Sequence, residues 1–211
     1  MLPTKEEMIA ALEKRHGVET QRKFLSATVA ICGLGGLGSN IAIALTRAGI
    51  GKLILIDFDR VDLANLNRQQ YKLSQVGMFK TDALCENLKE ISPYVELEPH
   101  CVRITEDNAK ELLKEADIIC EAFDNAESKA MLTNIVLKKM PEKYLIAGSG
   151  LAGLGSANTI KTRKAMRHFY ICGDEVSDVN KGIGPVASRV LVCAAHQAHM
   201  VLRILTNEFE A

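Results

Sequence analysis

The chain has 211 residues, of which 47% are apolar and 25% charged, and its 26 basic residues balance 26 acidic ones. That length fills one large core, so a single domain over 1–211 is expected. The charge balance shows no basic excess for nucleic acid and no acidic excess for disorder, and the composition is that of an ordinary soluble globular protein.

At the N-terminus, Thr4 and Glu7 form a capping box ahead of the stripe Met8, Ile9 and Leu12, and Gly17 ends that helix. Residues 1–26 are therefore expected to be peripheral and helical. Lys5, Glu6 and Glu7 stand where an export signal would carry a basic end and then an apolar run, so no leader is expected. The uncharged stretch from Phe24 to Thr46 is long enough for a bilayer, but Gly33, Gly35, Gly36, Gly38, Ser39 and Asn40 interrupt it. A buried strand, a turn and a helix explain it better, and no membrane association is expected.

Beyond residue 26, short runs rich in Val, Ile and Leu read as strands at 27–32, 52–57, 95–101, 117–122 and 143–148. Helical patterns at 38–48, 80–91, 106–115, 126–139 and 186–205 fill the gaps. Such alternation predicts an α/β fold, a Rossmann-like and mostly parallel sheet with helices on both faces. Residues 27–148 would form a nucleotide-binding core. In the remainder, 149–211, the basic, β-leaning stretch 157–171 is open between a hairpin and a crossover, and the polar, turn-rich stretch 174–185 reads as a mobile loop.

GLGGLGSN, residues 33–40, follows a predicted strand and opens a predicted helix. Gly33, Gly35 and Gly38 fit GxGxxG, and Asp57 lies about 20 residues beyond, where a ribose acid is placed in dinucleotide folds. The glycines let a phosphate approach backbone N–H groups at a helix N-terminus; the plainer reading is a turn that needs glycine only for packing. The similar stretch 150–158, GLAGLGSAN, runs into TIKTRK, which has no helical stripe, so it is read as a turn.

An NAD-dependent oxidoreductase would use the glycines and Asp57 but leaves Asn65, Arg68 and Lys80 without a task. A triphosphate calls for fixed cations and a carboxylate for magnesium. Arg68 and Lys80 suit the first need, and Asp124, after the fourth strand at the carboxyl edge of the sheet, suits the second. Taken singly, Arg68 and Lys80 also read as solvated surface groups, and Asp124 with Asn125 as a helix cap.

The six cysteines include no CxxC pair, which argues against a zinc ribbon and for a reducing, cytoplasmic setting. His196 and His199 share a helix face but lack a third ligand at motif spacing, so they are read as packing residues.

GLGGLGSN, DFDRVDLANLNRQ, GMFKTDA and AFDNAESK, in this order and spacing, resemble the adenylation domain shared by ThiF, MoeB and the ubiquitin-activating enzymes, over about residues 27–147. The resemblance implies ATP-dependent adenylation of the C-terminal Gly-Gly carboxylate of a small ubiquitin-like sulfur carrier protein, with release of pyrophosphate. Gly36 and its loop would contact the nucleotide, Asp57 the ribose, Asn65, Arg68 and Lys80 the phosphates, and Asp124 the magnesium, while Asp59 and Asp62 shape the loop. A terminal carboxylate has a pKa near about 3.5 and is already ionised at neutral pH, so no general base is required.

The short chain with YICGD and AAHQAHM is similar to the compact ThiF branch of thiamin biosynthesis, which implies a ThiS-like carrier and a homodimer. A tRNA-modifying dehydratase branch shares the site, although the even charge disfavours RNA as a partner. Three features depart from the family. There are no CxxC pairs, so no structural zinc is expected. Arg15 and Arg22 are the only N-terminal arginines near the place of the family's arginine-rich motif. Cys172 in FYICGDE is the candidate for a covalent link to the carrier, against a packed cysteine.

Overall fold

The five apolar runs form β1 (Thr28–Cys32), β2 (Lys52–Ile56), β3 (Glu96–His100), β4 (Ile118–Glu121) and β5 (Tyr144–Gly148), all parallel. This computed structural model describes residues 2–178 and 182–211. The stretch left open in the sequence is a hairpin of β6 (Lys161–Met166) and β7 (Phe169–Gly173), antiparallel to each other, with β7 parallel to β5. One seven-stranded sheet results, in the order β3-β2-β1-β4-β5-β7-β6. The mobility expected of 174–185 falls partly on 179–181, which lie outside the described residues.

The helices are α1 (Lys5–His16), α2 (Val18–Ser26), α3 (Gly36–Ala48), α4 (Lys80–Ile91), α5 (Ala109–Leu113), α6 (Ala126–Lys139) and α7 (Ala187–Leu205). The capping box at α1 closes both ways, Glu7 N to Thr4 at 3.2 Å and Thr4 N to Glu7 at 2.8 Å, and no residue of α1 is buried. α5 is shorter than its pattern predicts. Asn108 accepts from Thr105 N at 2.8 Å and donates to Arg103 O at 2.9 Å, a local turn that competes with helix at its start. Among the described residues no helix is long and apolar enough to cross a membrane.

Strand periodicity divides the core. Val29 and Ile31 of β1, Leu53 and Leu55 of β2, and Ile118 and Cys120 of β4 meet one apolar cluster with α3, α4 and α7. Their neighbours Ala30, Cys32, Ile54, Ile56 and Ile119 meet a second cluster with α5 and α6. Because successive side chains point to opposite faces, a strand covered on both sides must be apolar throughout, which is why these runs do not alternate with polar residues. Burying each large aliphatic side chain stabilises the fold by about 1.5–3 kcal/mol. After β3 the chain returns to pair β4 with the other side of β1, and that reversal opens a crevice at the carboxyl ends of the strands.

Candidate active site

A cavity of about 380 Å³ occupies that crevice, and Gly33, Gly35, Gly36, Asp57, Asn65, Arg68, Lys80 and Asp124 all line it. The volume lies within the range of small-molecule sites, about 300–1,000 Å³. Gly35 is the N-cap of α3 and provides no side-chain cap, and the first turn carries no acidic residue. By contrast α4 has Asp82, and α6 has Glu127 and the cap Asn125. The N–H groups and dipole of α3 thus face the cavity with no side-chain anion of their own, the arrangement that receives a phosphate.

The glycines divide their tasks. Gly33 has φ +93°, and a Cβ there would press on Ala122 O at 2.9 Å. A Cβ at Gly36 would meet Val190 at 3.0 Å and the Arg68 stem at 3.4 Å, while one at Gly35 would make only ordinary contact with the Gln69 amide at 3.7 Å. Gly38, expected to contact the nucleotide, does not line the cavity. Its Cβ would fall on the Gly33 carbonyl, so glycine there lets α3 start directly against the end of β1.

Asp57 is buried, and its oxygens accept Leu34 N at 2.6 Å and Asp59 N at 2.8 Å, each keeping a lone pair for a further donor. Lys80 is no solvated surface group: it is 6% exposed and pairs with Asp59 at 2.9 Å. A cation in the first turn of α4 opposes the helix dipole, and Asp59 offsets that cost. Asp62 caps the short 3-10 turn Leu63–Asn65 by accepting Ala64 N at 2.8 Å, while Asn65 accepts Asp62 N at 3.1 Å. Both acids shape the loop, Asp59 through Lys80 and Asp62 through the cap. The segment after it is bound to α3: Asn40 donates to Arg68 O at 3.2 Å and accepts from Gln70 at 2.7 Å, and Ser39 accepts Gln70 N at 3.1 Å. Arg68 is half-exposed, its guanidinium held by Asn67 at 2.8 Å.

Asp124 is exposed, and Asn125, not Asp124, caps α6 by accepting Ser128 N at 2.8 Å. Among the described residues the one partner of the Asp124 carboxylate is Asn125 Nδ2 at 3.4 Å, a long contact that leaves most of its acceptor capacity open. Magnesium takes one or two carboxylates together with phosphate oxygens and water, and a single hard, open carboxylate at the cavity fits that demand.

Several residues were not singled out from the sequence. Gln69 lines the cavity with a buried Oε1 that has no partner among the described residues. Phe58, Val102, Ile104 and Phe123 make an apolar wall, with the Arg103 guanidinium 4.0 Å over the Phe58 ring. Glu121, fully buried, binds Lys129, which also lines the cavity, through both oxygens at 3.0 Å. Burial pushes the Glu121 carboxyl up, against the pull of Lys129. An acid inside an otherwise apolar strand was the visible signal for this pair.

The other candidates lie away from the cavity. Arg15 is exposed on α1 and does not line it. Cys172 is 0% exposed on β7, and burial pushes its thiol up to about 11, opposite to the shift that activates a nucleophile. A thiol reagent applied to the native protein is expected to modify exposed Cys101 first and spare Cys172; peptide mass spectrometry showing both at similar rates would overturn the packed reading. His196 bonds Thr162 at 2.9 Å, and burial and then His199 lower its pKa. Among the described residues no group of three or more His, Cys, Asp or Glu is placed to hold a metal.

The sequence model described as the ThiF family matches residues 9–211. An adenylyltransferase and sulfurtransferase MOCS3 from Caenorhabditis briggsae is 38% identical over 137 residues, 64% of this chain and 33% of the relative. A ubiquitin-like modifier-activating enzyme 5 from Xenopus laevis is 37% identical over 152 residues, 66% of this chain and 38% of the relative. The chain thus spans about a third of the length of these curated relatives. Among solved structures, the E. coli tRNA N6-threonylcarbamoyladenosine dehydratase TcdA in complex with ATP aligns with a TM-score of 0.85 at 20% identity, over 99% of this chain and 98% of that one. At that identity the likeness concerns the fold.

Proposed function

The chain belongs to the ThiF family, and from that premise we propose that it is an adenylyltransferase that uses MgATP to activate the C-terminal Gly-Gly carboxylate of a ubiquitin-like sulfur carrier. The observation that carries the reading is the meeting, in one cavity, of the uncapped α3 terminus with Arg68, Lys80 and Asp124. A dinucleotide would leave those two cations and the open carboxylate unused, which weighs against an NAD-dependent oxidoreductase.

In this scheme the first turn of α3 holds a phosphate, the free lone pairs of Asp57 hold the ribose hydroxyls, and Gln69 Oε1 supplies a further buried acceptor. Asn65 and Arg68 hold the phosphates. Lys80 turns from Asp59 toward them. Magnesium, when bound, would be held by Asp124 and would neutralise phosphate charge. The carrier carboxylate is ionised at neutral pH. Its oxygen bonds to the α-phosphorus, the bond from that phosphorus to the bridging oxygen breaks, and pyrophosphate leaves with the electron pair. The work of the chain is alignment and charge neutralisation.

The proposed division of the chain follows: peripheral helices over 1–26, nucleotide core over 27–148, and carrier docking over 149–211. In the last part Gly153 N bonds Gly184 O at 3.1 Å and Ala152 N bonds Ser177 at 3.1 Å, which gathers exposed Leu154, Val176 and Ile183 beside the cavity. A ThiS-like carrier of thiamin biosynthesis, a cytoplasmic setting and a homodimer complete the reading. Only a second copy would bring Arg15 to the cavity.

The test is the intact mass of a Gly-Gly-ended ThiS-like carrier after incubation with the protein, ATP and magnesium. A gain of one AMP is expected. No adduct and no ATP–pyrophosphate exchange with any such carrier would refute the proposal, and activity on a tRNA nucleoside carboxylate would move the chain to the dehydratase branch.

A further inference from the structure

Among the described residues the Asp124 side chain has almost nothing to hold it. Its single partner among the described residues is Asn125 Nδ2 at a long 3.4 Å, so its direction is set by the backbone from Glu121 to Asn125. That backbone is fixed from below. Glu121 Oε1 accepts the N–H of Phe123 at 2.7 Å, which turns the chain just before Asp124. Both Glu121 oxygens in turn accept from Lys129 Nζ at 3.0 Å, and Lys129 also donates to Gly148 O at 2.8 Å, at the end of β5. Gln197 of α7 donates to Glu121 O and to Ile146 O, both at 3.1 Å, closing the floor.

We propose that the Glu121–Lys129 pair is a positioning device that sets the Asp124 carboxylate for its metal. An ion pair whose acid is fully buried is weak as a source of stability, because desolvation of the charge cancels much of the attraction; here Glu121 is fully buried and Lys129 half-buried. Its placement here has a use that stability does not explain. Lys129 ties the end of β4, the second turn of α6 and the end of β5 at one atom, and the turn bearing Asp124 is the segment enclosed by those ties. The same segment touches the glycine loop, since a Cβ on Gly33 would meet Ala122 O and the Phe123 ring.

This inference rests on the assignment of magnesium to Asp124, and the experiment separates the two. ATP binding is measured by calorimetry across a magnesium titration, for the unmodified protein, Asp124→Ala, Lys129→Met, Lys129→Arg and the double variant Glu121→Gln with Lys129→Met. Lys129→Met is expected to raise the magnesium midpoint about tenfold or more, as loss of a partner behind a metal ligand does. Because Lys129 also lines the cavity, affinity for ATP without magnesium should change much less than the magnesium midpoint, and Lys129→Arg should restore the midpoint. The double variant leaves no buried charge unpaired, so it keeps the test available if Lys129→Met fails to fold; its midpoint should also be raised. A folded Lys129→Met or double variant with the unmodified midpoint, beside an Asp124→Ala that has lost its magnesium response, would overturn the positioning role alone. An Asp124→Ala protein with an unchanged response would remove the metal assignment and the inference together.

Discussion

Arg68→Ala is expected to lower ATP–pyrophosphate exchange by about 10³-fold while leaving the fold intact, which is the scale on which removing a donor aimed at developing charge slows a reaction. The Arg68 stem lies beside Gly36 at the α3 terminus, and its half-exposed guanidinium is bonded to Asn67 and, at 3.4 Å, to Ala64 O. The attacking carboxylate and the phosphates repel one another, and the pyrophosphate gains charge as it leaves. A guanidinium offers two parallel donors to such oxygens. Arg68→Lys keeps the charge without the fork and is expected to recover only part of the rate. The backbone of Arg68 is held by Asn40 whatever its side chain, so thermal unfolding of either variant should stay within about 0.5 kcal/mol of the parent, as for surface substitutions. Exchange at the parental rate in Arg68→Ala would remove Arg68 from the machinery.

Arg189→Ala is expected to destabilise the protein by about 3–5 kcal/mol, the cost of removing one member of a buried pair. Arg189 is 5% exposed near the start of α7 and donates to Gly155 O and Ser156 O at 2.6 Å, to Thr159 at 3.1 Å and to Asp174. Four contacts converge on one side chain and fasten the 150–159 turn and the residues after β7 to α7. Burial raises the Asp174 carboxyl, but the amides of Ser177 and Val176, the Ser177 hydroxyl and Arg189 together hold it below the usual carboxylate value. A folded-state pKa that is depressed contributes stability above the unfolded value and loses it as pH falls through the folded one. Urea midpoints followed from pH 7 to pH 3 should therefore drop below about pH 4, the ordinary aspartate range, and Asp174→Asn should flatten that drop. An Arg189→Ala midpoint equal to the parent would show that the turn does not depend on this contact.

Much of the fold was legible because its signals are local. The buried strands could be read from runs of Val, Ile and Leu, the helix starts from Thr4 and Asn125, and the false glycine loop from the missing helix behind it, where Ala157–Thr159 forms only a 3-10 turn. The start of α5 departs from its apolar pattern because Asn108 bonds its own neighbourhood, a competition that apolar periodicity does not record. The hairpin of β6 and β7 stayed open because its pairing depends on a basic edge strand that buries little.

The sequence by itself determined the α/β class, the glycine loop and the group of charged residues after β2, since backbone preference and side-chain periodicity act over a few neighbours. Only the tertiary structure decided which charges meet. Lys80 with Asp59, Glu121 with Lys129 and Asp174 with Arg189 are pairs set by strand order and helix packing, as is the burial of Cys172. Coulomb attraction and desolvation depend on distance and on exclusion of water, and both come into being only when segments far apart in the chain are brought together.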